Sequence, residues 1–181
     1  MFILGHVVRV LYRNEETVPE SFRGQVDLVK GDVTNAADVQ TAVNGMDLVT
    51  VVLGTRNKLE PTKVLSTGMK NIIDAMKQAN LRKFSVCLSS FLFFDPDKVP
   101  KQFEHLNAEH LDMLEQSKSS GLDYVAVLPP HIAVNEPAGE HKILHDRSPG
   151  RVISVYDLAA FLVDSLSMPE HSGKVCGLAK V

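Results

Sequence analysis

Residues 5–14 read GHVVRVLYRN, and Val7 to Tyr12 within them form a nearly continuous apolar run broken only by Arg9. Unbroken apolar runs, as opposed to alternating ones, belong to strands covered on both faces. That is the condition of a parallel sheet packed between helices. The run therefore predicts a buried strand with Arg13 and Asn14 at its carboxyl end. The same rhythm continues outward. A short strand is expected to end near Lys30, followed by a helix over Asn35 to Val43 with Thr34 or Asn35 as N-cap. Asp47 to Gly54 is a β-branched strand, and Val64, Leu65, Gly68, Met69, Ile72, Ile73 and Met76 mark one face of a long helix. Phe84 to Leu88 is a strand. Phe103, Leu106, His110 and Met113 share one helical stripe, and Tyr124 to Leu128 is a strand stopped by Pro129-Pro130. Ser154 and Asp157 form a capping-box start for a last helix carrying Leu158, Phe161, Leu162 and Leu166.

Strands alternating with helices predict an α/β fold, a doubly wound parallel sheet of the Rossmann-like kind, in a single domain over residues 1–181. Pro129 to Ser148 is the least regular stretch and reads as a substrate-facing loop. The formal net charge of -3 and a pI of about 6.1 argue against a general nucleic-acid or anionic-membrane binder. No apolar run approaches the roughly 18 residues of a membrane span, and no secretory leader is evident, so the expected location is cytoplasmic. Cys87 and Cys176 read as buried or idle thiols in a reducing compartment. His141 and His145 stand at i, i+4 and could bind metal if helical, but Pro137, Gly139 and Pro149 speak against a helix and no third ligand is evident. No metal site is expected there.

In an open parallel sheet, ligands bind beyond the carboxyl ends of the strands, and four such ends are informative. At the first, Arg13 can pair the 2′-phosphate of NADP, where an acidic residue would select NAD; the bland alternative is a surface arginine at a strand exit. At the second, Asp32 can accept from an adenine amino group while the Val33 amide meets the ring; the alternative is an ordinary turn. At the third, Gly54 lets the backbone approach a ribose or diphosphate, with Leu53, Thr55, Arg56 and Asn57 around it; the alternative is a polar loop. At the fourth, Ser89-Ser90 lies where a nicotinamide would sit. A Tyr-x-x-x-Lys pair, the usual proton-relay base of short-chain dehydrogenases, is absent: Tyr12, Tyr124 and Tyr156 are followed four residues on by Glu16, Leu128 and Ala160.

The runs VLYRN, GDV, VLGTRN, SSFLFFDPDKVP, LDYVAVLPPHI and GRVIS together resemble the NADPH-dependent flavin reductases, also called biliverdin-IXβ reductases, atypical base-less members of the short-chain dehydrogenase superfamily. The likeness runs from Gly5 to about Ser172, and residues 173–181 add little to it. It implies that Arg13 meets the 2′-phosphate and that Asp32 and Val33 meet the adenine. It implies further that Leu53, Gly54, Thr55 and Arg56 line the diphosphate and ribose, and that Ser89 stands beside the nicotinamide. Pro130, His131 and Ile132 would flank that ring, with His110 near the substrate. Phe94 replaces a frequent tryptophan, and Thr17 replaces a second basic residue. The family also begins with a strand and a glycine-rich loop, whereas no GxGxxG or GxxGxxG occurs in this sequence. The chain is thus expected to start about one βα unit late, lacking the central first strand.

The resemblance implies an NADPH-dependent reductase passing hydride to a planar acceptor, a flavin or linear tetrapyrrole, which needs no enzymatic base. Ser89 would orient and His131 and His110 would stand as candidate catalytic groups, although a core role for His110 is the simpler reading. Phe91, Phe93 and Phe94 would supply an apolar wall or a plain core cluster. The flavin would be a substrate and the chain a monomer. Two alternatives stand beside it: a non-catalytic NADP-binding sensor, and an inactive truncated product.

Overall fold

The structure is a computed structural model, described over residues 6–55 and 58–181. Nine strands and four α-helices are assigned among these residues. The strands are β1 (Arg9–Tyr12), β2 (Asp27–Lys30), β3 (Val49–Val51), β4 (Lys83–Cys87), β5 (Asp123–Val127), β6 (His131–Ala133), β7 (His141–His145), β8 (Val152–Ser154) and β9 (Lys174–Lys180). The helices are α1 (Ala36–Val43), α2 (Val64–Gln78), α3 (Glu104–Ser119) and α4 (Val155–Asp164). The main sheet runs β3-β4-β5-β9-β7, parallel except for β7, which pairs antiparallel with β9. This is the expected α/β architecture with a mostly parallel sheet.

Helices cover both faces, as the alternation of β5 shows. Ala126 and Leu128 join the core under α1, α2 and α3, built around Phe84, Met69, Met76 and Met113. Val125 and Val127 point the other way, to Ile153, Phe161, Leu162, Cys176 and Leu178. The stripe expected on α2 is the buried one, from Leu65 to Met76.

Several expectations are corrected. The run Val7 to Tyr12 is not a fully buried strand: β1 covers only Arg9–Tyr12, is half-buried throughout, and leaves Val7 82% exposed. Among the described residues β1 pairs with β2 alone, and β3 with β4 alone, so no ladder joins the two sheets. With one strand neighbour, β1 cannot be covered as an inner strand is. The expected loop from Pro129 to Ser148 holds β6, paired in parallel with β8, and β7 at the edge of the main sheet. His141 and His145 therefore lie on a strand. Residues 173–181, which carried little signal, form β9, one of the inner strands. The start of α4 is capped by the Ser154 hydroxyl, which accepts from Tyr156 N. Asp157 does not close a capping box: both its carboxylate oxygens accept from Gly139 N, at 3.2 Å. It ties the loop after β6 to α4.

Candidate functional site

The carboxyl ends of β3, β4 and β5 open into a cleft of about 480 Å³. Leu53, Ser89, His110, Pro130, His131 and Ile132 all line it. Residues read separately from the sequence, across eighty positions, thus meet in one place. Sheet direction explains the meeting, because parallel strands deliver all their carboxyl ends to the same edge.

Ser89 follows β4 as the N-cap of the 3-10 turn Ser90–Phe93, and its Oγ accepts from Phe91 N at 3.2 Å. That bond uses a lone pair and leaves the hydroxyl proton free to donate. Phe91 lines the cleft and packs against Phe94 and Phe103, with ring centroids 6.1 and 5.2 Å away. Phe94 is half-exposed beside it, whereas Phe93 packs against the core and takes no part in the cleft. Val52, 64% exposed at the end of β3, adds an apolar surface. Cys87 also reaches the cleft, and burial pushes its thiol up to about 11, so it stays protonated and is no nucleophile at neutral pH.

His110 projects from α3. Neither ring nitrogen finds a hydrogen-bond partner among the described residues, although both are shielded from solvent. Burial pushes its pKa down to about 4, only partly opposed by the neighbouring Glu109. It is therefore a neutral imidazole holding one donor and one acceptor, both unused. A buried polar group without a partner is costly, and a ligand in the cleft is where a partner can come from. Sequence reasoning missed the residue that sets this ring in place. Glu109 is 2% exposed, accepts from Ser66 N and Oγ at 3.0 Å, and pairs with Lys63 at 3.3 Å. Its carboxylate caps the first turn of α2 from across the helix pair, which fixes the rotation of α3. A charged residue beside a histidine on an apolar stripe was the available signal.

His131 stands exposed at the start of β6, with its backbone N–H donating to Arg151 O at 3.2 Å. Its ring is free to face the cleft mouth. Arg13, Asp32 and Val33 lie outside the cleft, around the ends of β1 and β2. The Arg13 guanidinium reaches Asp32 at 3.5 Å and is 70% exposed. Asp32 accepts from Thr34 N and Oγ1 at 2.8 and 2.7 Å; these bonds, and then Arg13, hold its carboxyl below the usual carboxylate range. Gly31 is required by close approach: a Cβ there would stand 2.6 Å from the Cβ of Asp38, whose carboxylate accepts from Asp32 N. Val33 packs against Gly68 of α2, and its carbonyl accepts from Asn71. Gly54 and Thr55 follow β3, and the space beside Gly54 is open. Arg56 and Asn57 lie outside the described residues.

The sequence matches the model of a family described as NAD(P)H-binding over residues 4–169. The chain belongs to that family. Solved structures share its fold. An oxidoreductase of Lactococcus lactis matches with a TM-score of 0.79 at 22% identity, over 99% of this chain and 82% of its own. A short-chain dehydrogenase/reductase of Veillonella parvula in complex with NADP matches with a TM-score of 0.75 at 14% identity, over 95% and 82%. The anaerobillin reductase ChuY of Escherichia coli O157:H7 matches with a TM-score of 0.77 at 14% identity, over 96% and 84%. Family membership carries an NAD(P)H-binding assignment. No helix among the described residues is long and apolar enough to cross a membrane.

Proposed function

We propose that the chain is an NADPH-dependent reductase that delivers hydride to a planar conjugated acceptor, a flavin or a linear tetrapyrrole. The observation that carries this is the cleft itself. It has apolar walls in Val52, Leu53, Phe91 and Ile132 and a few polar groups; Cys87 stays a thiol and His110 a neutral imidazole, and among the described residues no tyrosine or lysine lines it to act as a relay base. Such a site suits an acceptor whose receiving atom takes hydride without an enzymatic base. The anaerobillin reductase among the structures of like fold is a tetrapyrrole-type precedent.

The exposed Arg13 guanidinium and the open space beside Gly54 suit a dinucleotide. Arg13 would hold the 2′-phosphate, Asp32 and Val33 the adenine, and Leu53, Gly54 and Thr55 the ribose and diphosphate, with Arg56 as the fourth member of that loop. Reduced NADP supplies the hydride. The chain's own part is placement. Ser89 would use its free O–H as a hydrogen-bond donor to the nicotinamide carboxamide or the acceptor. Pro130, His131 and Ile132 close one side, and the neutral His110 offers a donor and an acceptor from the other. Asp32 already neutralises Arg13, but an exposed pair is weak, so a phosphate carrying more charge can draw the guanidinium away. The acceptor leaves as product rather than remaining as a prosthetic group, and the chain acts as a monomer in the cytoplasm.

The test is NADPH consumption by the full chain with FMN, riboflavin or biliverdin-IXβ, followed at the reduced-nicotinamide absorbance band. Acceptor-dependent turnover is expected, with Ser89→Ala lowering kcat about tenfold, the worth of one lost hydrogen bond, while KM for NADPH holds. Saturable NADPH binding without turnover on any acceptor would replace the reductase by a sensor. No NADPH binding would overturn both.

A further inference from the structure

On the side of the sheet away from the cleft helices, three residues scattered through the sequence converge. His145 ends β7, and Cys176 is its cross-strand partner on β9. Cross-strand partners present their side chains on the same face. His171 closes the 3-10 turn Pro169–His171 just before β9. Its Nδ1 lies 3.0 Å from Nε2 of His145 and 3.8 Å from Sγ of Cys176, and all three atoms fall within 4.8 Å of one another.

We propose that Nε2 of His145, Nδ1 of His171 and Sγ of Cys176 form a site for a thiophilic d10 cation, Zn²⁺ or Cu⁺. The donor set and spacing carry the proposal. Two imidazoles and a thiolate suit zinc and copper(I), and disfavour calcium or magnesium. Tetrahedral zinc, with bonds of about 2.0–2.1 Å to nitrogen and 2.3 Å to sulfur, separates its ligand atoms by roughly 3.3–3.6 Å; the observed separations straddle that range. A plain hydrogen bond between the two rings accounts for only part of the arrangement. Nδ1 of His171 has either one proton or one in-plane lone pair, so it can serve His145 or Cys176 but not both. A cation at the centre serves all three.

The surroundings match a built site. Cys176 is fully buried and His171 nearly so, while His145 is exposed and gives an entry path from solvent. Phe161 of α4 packs its ring edgewise on His171 at 5.1 Å, which limits the rotation of that imidazole. Binding exchanges the Cys176 S–H bond for a metal–sulfur bond and releases the proton to solvent, with no change of oxidation state. With three protein ligands, zinc keeps one position for water on the His145 side, whereas copper(I) is complete with three. The cation would tie β7, β9 and the turn before β9 together without touching the cleft.

The full chain, stripped with a chelator, would be titrated with Zn²⁺ and with Cu⁺ against a chromophoric competitor, and with Co²⁺ as a spectroscopic probe. One equivalent of Zn²⁺ or Cu⁺ is expected, with a raised Tm, and Co²⁺ should give a near-ultraviolet thiolate-to-cobalt band. Preference for one of the two cations identifies it. His145→Leu, at an exposed strand end and so compatible with folding, should weaken binding by about a hundredfold or more and shift the cobalt spectrum; Cys176→Ala should abolish the thiolate band. Equal affinity of the wild type and His145→Leu for both cations, or a cobalt complex without that band, would overturn the proposal.

Discussion

Leu11, in the middle of β1, is half-buried and packs only at the edge of the larger core, whereas Val86 of β4 and Ala126 of β5 have no measurable exposure. All three strands read as apolar runs in the sequence; their surroundings differ. β4 has strands on either side and helices above and below. Among the described residues β1 has one strand partner, and its Arg9 is turned to polar work, pairing with Asp27 at 2.6 Å and donating to Asn44 O at 2.7 Å. The proposed adenosine end, at Arg13 and Asp32, rests on the lightly buried pair. The proposed hydride end, at Ser89 and His110, rests on the dense sheet. Function divides the same way: electrostatic selection can tolerate a compliant, solvated support, whereas placement of reacting atoms needs a stiff one.

The sharpest way to break this contrast is to empty each region in turn. Phe84→Ala removes a ring with no exposure from the centre of the sheet and should cost about 3–5 kcal/mol. Leu11→Ala should cost about 1–2 kcal/mol, because part of that side chain already meets water. Urea unfolding of the two variants checks the difference, and comparable losses would mean that β1 is as much a part of the core as β4. A second measurement separates the cleft from its support. Free histidine titrates near 6.5, and burial holds His110 at about 4. Above pH 6.5 both folded and unfolded chains keep this ring neutral, so stability is complete. As the pH falls from 6.5 toward 4, the unfolded chain takes up a proton that the folded chain refuses. Stability should then drop by up to about 3 kcal/mol. His110→Leu should flatten that slope, and an unchanged slope would show that the ring is not shielded as described.

The parts legible in the sequence share one property, that a local pattern was enough to fix them. The 3.6-residue stripe of α2, the Asn35 cap and the strand ends at Arg13 and Ser89 needed only neighbours in sequence, whereas the run Asp47 to Gly54 yields a strand of only Val49–Val51. What escaped depended on distant residues. β9 was obscured by Gly177, a residue that usually weakens strands. Here its missing side chain lets the Arg147 carbonyl lie against the strand. β7 was hidden among Gly139, Pro137 and Pro149, and it exists because β9 offers it an edge. Glu109 looked like one more charge on a helix, and only the approach of Ser66 and Lys63 makes it the clamp between α2 and α3. The partial burial of β1 was unreadable for the same reason, since an apolar run says what could be covered and not how many neighbours will cover it.

The smallest expected effect tests the adenosine end alone. Arg13 is 70% exposed and its pair with Asp32 is 3.5 Å long, so Arg13→Gln should leave stability within about 0.5 kcal/mol of wild type. Against a 2′-phosphate the same side chain makes a charge-assisted bond worth about 1.5–3 kcal/mol. NADPH affinity should therefore fall roughly tenfold to a hundredfold while NADH affinity holds. Binding of both nucleotides by fluorescence titration decides it. Equal weakening of the two would move Arg13 from selecting the cofactor to shaping the loop, and an unaffected NADPH constant would leave it a surface residue. Only selective loss keeps the division between a compliant end that chooses the nucleotide and a stiff end that places its reactive ring.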